Sequence, residues 1–148
     1  MSLKQQLLDD VKVAMRAGDK LRLQTLRMTT AAIKQREVDE RVELEDADVM
    51  AIVEKMIKQR RDAEQQYAAA GRAELAAQEA DEIAILEHYL PAQLDDDAIQ
   101  AAIASVLAEA DITGMQDMGR AMGILKQRLQ GQADMARVSA LLRQQLQS

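Results

Sequence analysis

DADVMAIVEKMIKQRRDAEQQYAAAG, residues 46–71, is the stretch that decides the fold class. Val49, Ile52, Val53, Met56, Ile57, Ala63, Tyr67 and Ala70 recur in it at helical spacing, with charged and amide side chains between them. Asp46 stands where a helix N-cap is needed and Gly71 where a helix stops. No proline and no interior glycine interrupts the run, so the spacing predicts one side of a helix about seven turns long.

The same period continues outward in both directions. Upstream, Leu3, Leu7, Val11 and Met15 form one face of a first helix, with Ser2 and Gln5 in capping-box positions. Gly18 ends that helix and Asp19 caps the next, whose buried face is Leu23, Leu26, Thr30 and Ile33 and which runs as far as Arg41. Downstream, Leu75, Ile83, Leu86 and Leu90 mark a fourth helix, closed by Pro91, the single proline of the chain. Asp95, Asp96 and Asp97 then open a fifth helix at the end where negative charge is favourable, and its core face is Ile99, Ile103, Val106 and Leu107. Two more helices follow. One covers about 115–130 with Met115, Met118, Met122, Leu125 and Leu129 inward; the other covers about 134–147 with Met135, Val138, Leu141, Leu142 and Leu146 inward. The expected fold is all-α: an elongated, hairpin-like helical domain over residues 1–91, then a small three-helix bundle over 92–148.

Composition narrows the chemistry. Of 148 residues, 48% are apolar and 30% charged, enough for a packed interior under a wet surface. With two Tyr and no Phe or Trp, the core must be aliphatic. Six Gly and one Pro are too few for the frequent tight turns of an all-β chain. The absence of Cys removes disulfides, thiol nucleophiles and thiolate metal sites. No apolar run reaches the roughly 20 residues that span a bilayer, and the N-terminus lacks the form of a signal peptide. A soluble cytoplasmic protein without membrane contact is expected.

Net charge is −6 but unevenly spread. Residues 1–41 carry nine bases and six acids, residues 42–91 five and twelve, and residues 112–148 five and two. The acidic total argues against unspecific binding of nucleic acid by the whole chain and leaves local basic surfaces open. Lys20, Arg27, Lys34 and Arg41 fall every seven residues and so share a slowly drifting stripe on the second helix. They read as a solvated face paired with the acidic middle segment, or as a contact for phosphate or an acidic partner.

Catalytic groups are not evident. His88 is the one histidine and has no ligand motif around it. Ser2, Ser105, Ser139 and Ser148 lie at the termini or inside predicted helices, none in a strained glycine-rich turn beside a base. No catalytic residue, metal site or cofactor is expected. Met115, Met118 and Met122 read as core, or as a pliable groove for a partner. Gly119 and Gly123 inside one helix together cost about 1.5–2 kcal/mol relative to Ala. Close packing by another helix of the fold would compensate, and so would a docked ligand.

Met118-Gly119-Arg120-Ala121-Met122-Gly123-Ile124-Leu125-Lys126, followed by Gly131-Gln132-Ala133-Asp134 and Val138, resembles the signature of the YqeY family. Leu26-Arg27-Met28, Ala31-Ala32-Ile33-Lys34 and Tyr89-Leu90-Pro91-Ala92-Gln93-Leu94 look like further landmarks of it, so the resemblance extends over essentially the whole chain. These are small bacterial proteins sharing a domain with the C-terminal tail of GatB, a subunit of the glutamine-dependent tRNA amidotransferase. The resemblance implies an N-terminal helical part, a C-terminal three-helix part, and recognition of tRNA or of a protein partner in tRNA amidation. Carried over by position, the RNA-binding candidates are Gly119, Gly123, Lys126, Gly131 and Arg137, with Arg120 and Arg128 as neighbouring phosphate contacts. Gln132 replaces a basic residue of many relatives, and Met135 lies near where they have a glycine. A carbon–nitrogen ligase label inherited from the relative would describe its complex, because the amidotransferase active site lies outside this domain.

Three functions therefore compete: a non-catalytic tRNA-interacting module, a protein–protein adaptor using the exposed faces of the N-terminal helices, and an amidotransferase-like ligase. The lack of Phe and Trp disfavours stacking on single-stranded bases and favours the shape of duplex or folded RNA.

Overall fold

The computed structural model describes residues 1–147, and no strand occurs among them. Its helices are α1 (Leu3–Ala17), α2 (Lys20–Glu40), α3 (Asp46–Ala69), α4 (Ala73–Glu87), α5 (Asp96–Glu109), α6 (Met118–Arg128) and α7 (Met135–Gln147); a 3₁₀ turn, Met115–Asp117, leads into α6. The chain divides into two compact units between Leu90 and Pro91.

In the first unit, α1 packs on α2 and α3 on α4, with α2 touching all three others. Local codes set the helix ends. Ser2 Oγ accepts the Gln5 backbone N–H at 3.1 Å, while the Gln5 side chain reaches Asp9 instead of completing a capping box. Gly18 closes α1 at φ +68°, and Asp19 Oδ1 accepts the Arg22 N–H to start α2. α3 begins one residue earlier than expected: Glu45 is its cap and donates its N–H to Asp48 Oδ2. Asp46, expected as the cap, instead accepts the Leu3 N–H at 2.9 Å, so it satisfies an orphan donor of α1.

Burial follows the helical period with shifts of one position. Beside the tight turn at Gly18, Ala14 is 1% exposed and Met15, expected inward, is 51% exposed. Where two helices converge on a short turn the axes lie close, and the smaller side chain takes the seam. On α2 the buried set is Thr25, Leu26, Thr29 and Ile33; Leu23 and Thr30 are half-buried. Thr25 and Thr29 are tolerated inside because their hydroxyls donate to the Leu21 and Thr25 carbonyls at 2.9 Å. Leu3, Leu7, Leu26, Ile33, Leu44, Val49 and Tyr89 form one cluster, continued by Val53, Met56, Ile57, Ile83 and Leu86. Ala63 and Tyr67 are half-buried, and Ala70 is exposed at the tip of the α3–α4 hairpin.

The second unit packs α5, α6 and α7 around Ile99, Ile103, Val106, Ala121, Leu125, Leu129, Val138, Leu141 and Leu142. Asp95 Oδ1 caps α5 through the Ala98 N–H at 2.8 Å. Met115 was expected inward and is exposed, because the 3₁₀ turn breaks the α-period before α6 begins; Ala121 takes the buried slot. The α6–α7 loop turns at Gly131, φ +78°. Gln93 Nε2 donates to the Gly131 carbonyl at 2.6 Å and the Leu94 N–H to the Gln132 carbonyl at 2.8 Å, so the Pro91-Ala92-Gln93-Leu94 segment clamps that loop.

Candidate nucleic-acid interface

Helix α6 gathers most of the candidate residues. Its inner side is anchored by Ala121 and Leu125, which leaves Gly119, Arg120, Gly123, Lys126 and Arg128 exposed. The positions 119, 123 and 126 fall within one face of a 3.6-residue helix. A Cβ added at Gly119 or Gly123 would meet nothing within 4 Å. The expectation that another helix of the fold packs against these glycines is thus overturned: the backbone there is bare and outward.

The basic side chains of this unit differ in how free they are. Arg120 donates from Nη2 to the Ala110 carbonyl at 3.1 Å, closing the end of α5, and stands 3.9 Å from Asp117. Arg128 Nη2 lies 2.5 Å from Glu109 Oε2, and that bond, with one from the Ser105 hydroxyl, holds the Glu109 carboxyl below its ordinary range. Arg137 on α7 grips Asp96 with two nitrogens and lowers that carboxyl likewise. Lys126 and Arg143 have no carboxylate partner among the described residues. The pairs at Arg128 and Arg137 are exposed, and such pairs exchange partners readily. Gly131 is a different case: it is buried, and its left-handed turn accounts for the glycine without any ligand.

On α2, the stripe Lys20, Arg27, Lys34 and Arg41 is exposed throughout, and none of the four pairs with a carboxylate among the described residues. The neighbouring cations do pair: Arg22 with Asp19 at 3.5 Å, and Arg36 with Glu40 at 2.5 Å and Asp48 at 3.7 Å. Pairing of the stripe with the acidic middle segment is therefore corrected. Carboxylates of that segment are taken by Lys4, Arg36, Arg60 and Arg61.

One charged group was missed from sequence. Arg60, 7% exposed, lies 3.3 Å from Glu82, 6% exposed, and donates to the Met56 carbonyl at 3.3 Å and the Met28 sulfur at 3.7 Å. Burial and the Glu82 carboxylate together raise the neighbouring Glu79 carboxyl. A signal existed: residue 60 is the next slot of the period Val49, Val53, Met56, and residue 82 lies one turn before Leu86. The cluster ties α2, α3 and α4 together and opens onto no array of donors. Tyr89, of the Tyr-Leu-Pro landmark, is buried too; its hydroxyl donates to Asp10 at 2.5 Å, and burial with that carboxylate pushes the phenol well above its usual range. His88 is exposed and meets Tyr89 edge-on at 5.3 Å.

An open cleft at the start of α1 is lined by Ser2, Lys4, Glu43, Leu44, Glu45, Asp46 and Ala47. Its one cation is held by Glu37 and Glu43 at 3.0 and 3.2 Å, which makes it a poor cradle for an anion. Among the described residues, no cluster of three or more His, Cys, Asp or Glu is placed to hold a metal ion, and no helix is long and apolar enough to cross a membrane.

The family model described as Yqey-like protein matches residues 4–146. Among curated proteins, the one named "Altered inheritance of mitochondria protein 41, mitochondrial" from Kluyveromyces lactis is 37% identical over 84 residues, 56% of this chain and 45% of the relative. Its namesake from Vanderwaltozyma polyspora is 33% identical over 82 residues, 55% of this chain and 44% of the relative. The matched region thus spans less than half the length of these relatives.

Proposed function

The chain belongs to the Yqey-like family, and on that premise we propose that it is a non-catalytic recognition module for tRNA or for a tRNA-charging assembly, using the outer face of α6. The observation that carries the proposal is the bare Gly119–Gly123 backbone with Lys126 free at its end. A sugar–phosphate strand can lie against a helix without side chains at those positions, closer than any Cβ would permit. Lys126 then supplies an unencumbered charge, while Arg120, about a quarter-turn round the helix, supplies further donors by giving up its contact with the Ala110 carbonyl; Arg128, seven residues from the buried Ala121, lies on the opposite side of α6. With no Phe or Trp to stack on bases, the contact reads backbone shape. The bacterial cytoplasm is the proposed setting; the yeast relatives carry a mitochondrial name.

Filter binding of tRNA at two salt concentrations tests this. With about two phosphates engaged, by Lys126 and Arg120, affinity is expected to fall by roughly tenfold between 50 and 200 mM salt. Lys126→Glu is expected to weaken binding by about tenfold, while Gln144→Glu on α7 is expected to change it little. No binding at 50 mM salt would refute the proposal. Under it the chain does no chemistry, so purified protein given glutamine, ATP and misacylated tRNA is expected to show no turnover.

A further inference from the structure

A second surface, on the other unit, is charged in a different way. Lys4 on α1 reaches Glu37 on α2 at 3.0 Å, which sets that flank of each helix along their shared outer seam. One turn on from Lys4 comes Leu8, then Lys12 and Met15; one turn before Glu37 stands Lys34, with Arg27 two turns further back, and Arg41 follows the helix end at φ +55°. The helices run antiparallel from the Gly18 turn, so Leu8 is level with the Ala31–Lys34 turn and Met15 with the Gln24–Arg27 turn. Leu8 is 41% and Met15 51% exposed. Lys12, Arg27, Lys34 and Arg41 are exposed and unpaired among the described residues.

We propose that this α1–α2 furrow docks an acidic amphipathic helix of a partner protein. Charge complementarity decides the occupant. The cations of α2 recur every seven residues, about 10.5 Å apart along the axis, which matches a helix presenting one acid every two turns. Leu8 and Met15 offer apolar contact that a phosphate backbone cannot use and the apolar stripe of a helix can. The unit as a whole carries 14 bases and 18 acids over residues 1–90, a field that opposes a broad anionic surface such as a bilayer or RNA duplex. A single helix lying in the furrow meets the cations that flank it, while the carboxylate set on the seam, Glu37, is held by Lys4.

The test uses the full chain and a fluorescein-labelled 21-residue peptide with Glu at every seventh position and Leu three and four residues after each. Fluorescence anisotropy is expected to show binding, weakened about tenfold for a scrambled peptide of the same composition. A similar loss is expected for the Arg27→Glu/Lys34→Glu protein, and separately for Leu8→Asp/Met15→Asp, with helicity unchanged by circular dichroism. No binding, or equal binding of patterned and scrambled peptides, would overturn the proposal. Tighter binding to anionic vesicles or duplex RNA through the same residues would overturn it as well, and so would a dimer in sedimentation that Arg27→Glu/Lys34→Glu abolishes. Lys126→Glu is expected to leave peptide binding intact, which separates this surface from the one on α6.

Discussion

Replacing Gly119 and Gly123 with Ala tests the outward backbone of α6 most directly. Both residues are helical, both are exposed, and neither added Cβ meets an atom within 4 Å. No steric term opposes the gain in helix propensity, which is worth about 0.8–1 kcal/mol at the mid-helix Gly123. Gly119 sits in the first turn, where fewer backbone bonds depend on it, so about 0.5 kcal/mol is expected there. The double variant should therefore be stabilised by about 1–1.5 kcal/mol, or roughly 5–10 °C in the transition of a unit this small. The contrast is Gly131→Ala: its φ of +78° is left-handed, and a side chain there is expected to cost about 1–2 kcal/mol. Calorimetry and urea unfolding read the stabilities; filter binding reads tRNA affinity. A double variant that is destabilised would mean that the glycine face is covered by packing, refuting the open-surface geometry. One that is stabilised yet binds tRNA as tightly as the parent would show that tRNA does not use the bare backbone.

Other outcomes follow from the rest of the structure. Glu82→Ala strands the buried Arg60 and is expected to cost about 3–4 kcal/mol in urea unfolding, whereas Arg60→Met with Glu82→Leu is expected to be near neutral. Equal costs would mean that the pair itself is net stabilising. Tyr89→Phe removes the 2.5 Å bond to Asp10 and is expected to lower stability by about 1.5 kcal/mol, read by thermal unfolding. Glu37, Asp96 and Glu109 are lowered in the fold, so their contributions are present above the ordinary carboxylate range and lost as pH falls through it. Glu79 is raised and acts oppositely: its contribution is present in acid and lost as pH rises. Glu79→Gln is accordingly expected to add roughly 0.3 kcal/mol at pH 7 and nothing at pH 3, by denaturant titration at the two pH values.

The sequence by itself determined the helices and their punctuation. Ser2, Asp19 and Asp95 cap, and Gly18 and Gly71 turn, each through the backbone within a few residues of itself, whereas α4 ends at Glu87, before Leu90 and the Pro91 expected to close it. The aliphatic period fixed which side of most helices is buried, since a 100° step per residue leaves little choice. Tertiary structure decided what lies between elements. Which of Ala14 and Met15 enters the seam depends on how closely α1 and α2 approach. Arg128 and Arg137 find their acids 19 and 41 residues away, whereas the α2 stripe finds none, and no local rule distinguishes the two. The same holds for the glycines. The resemblance carried Gly119, Gly123 and Gly131 over together as RNA contacts, but Gly131 forms a buried turn clamped by Gln93, and the other two face open space. Caps and turns are short-range bonds that a sequence encodes directly, while the exposure and partners of a side chain depend on where the rest of the chain has gone.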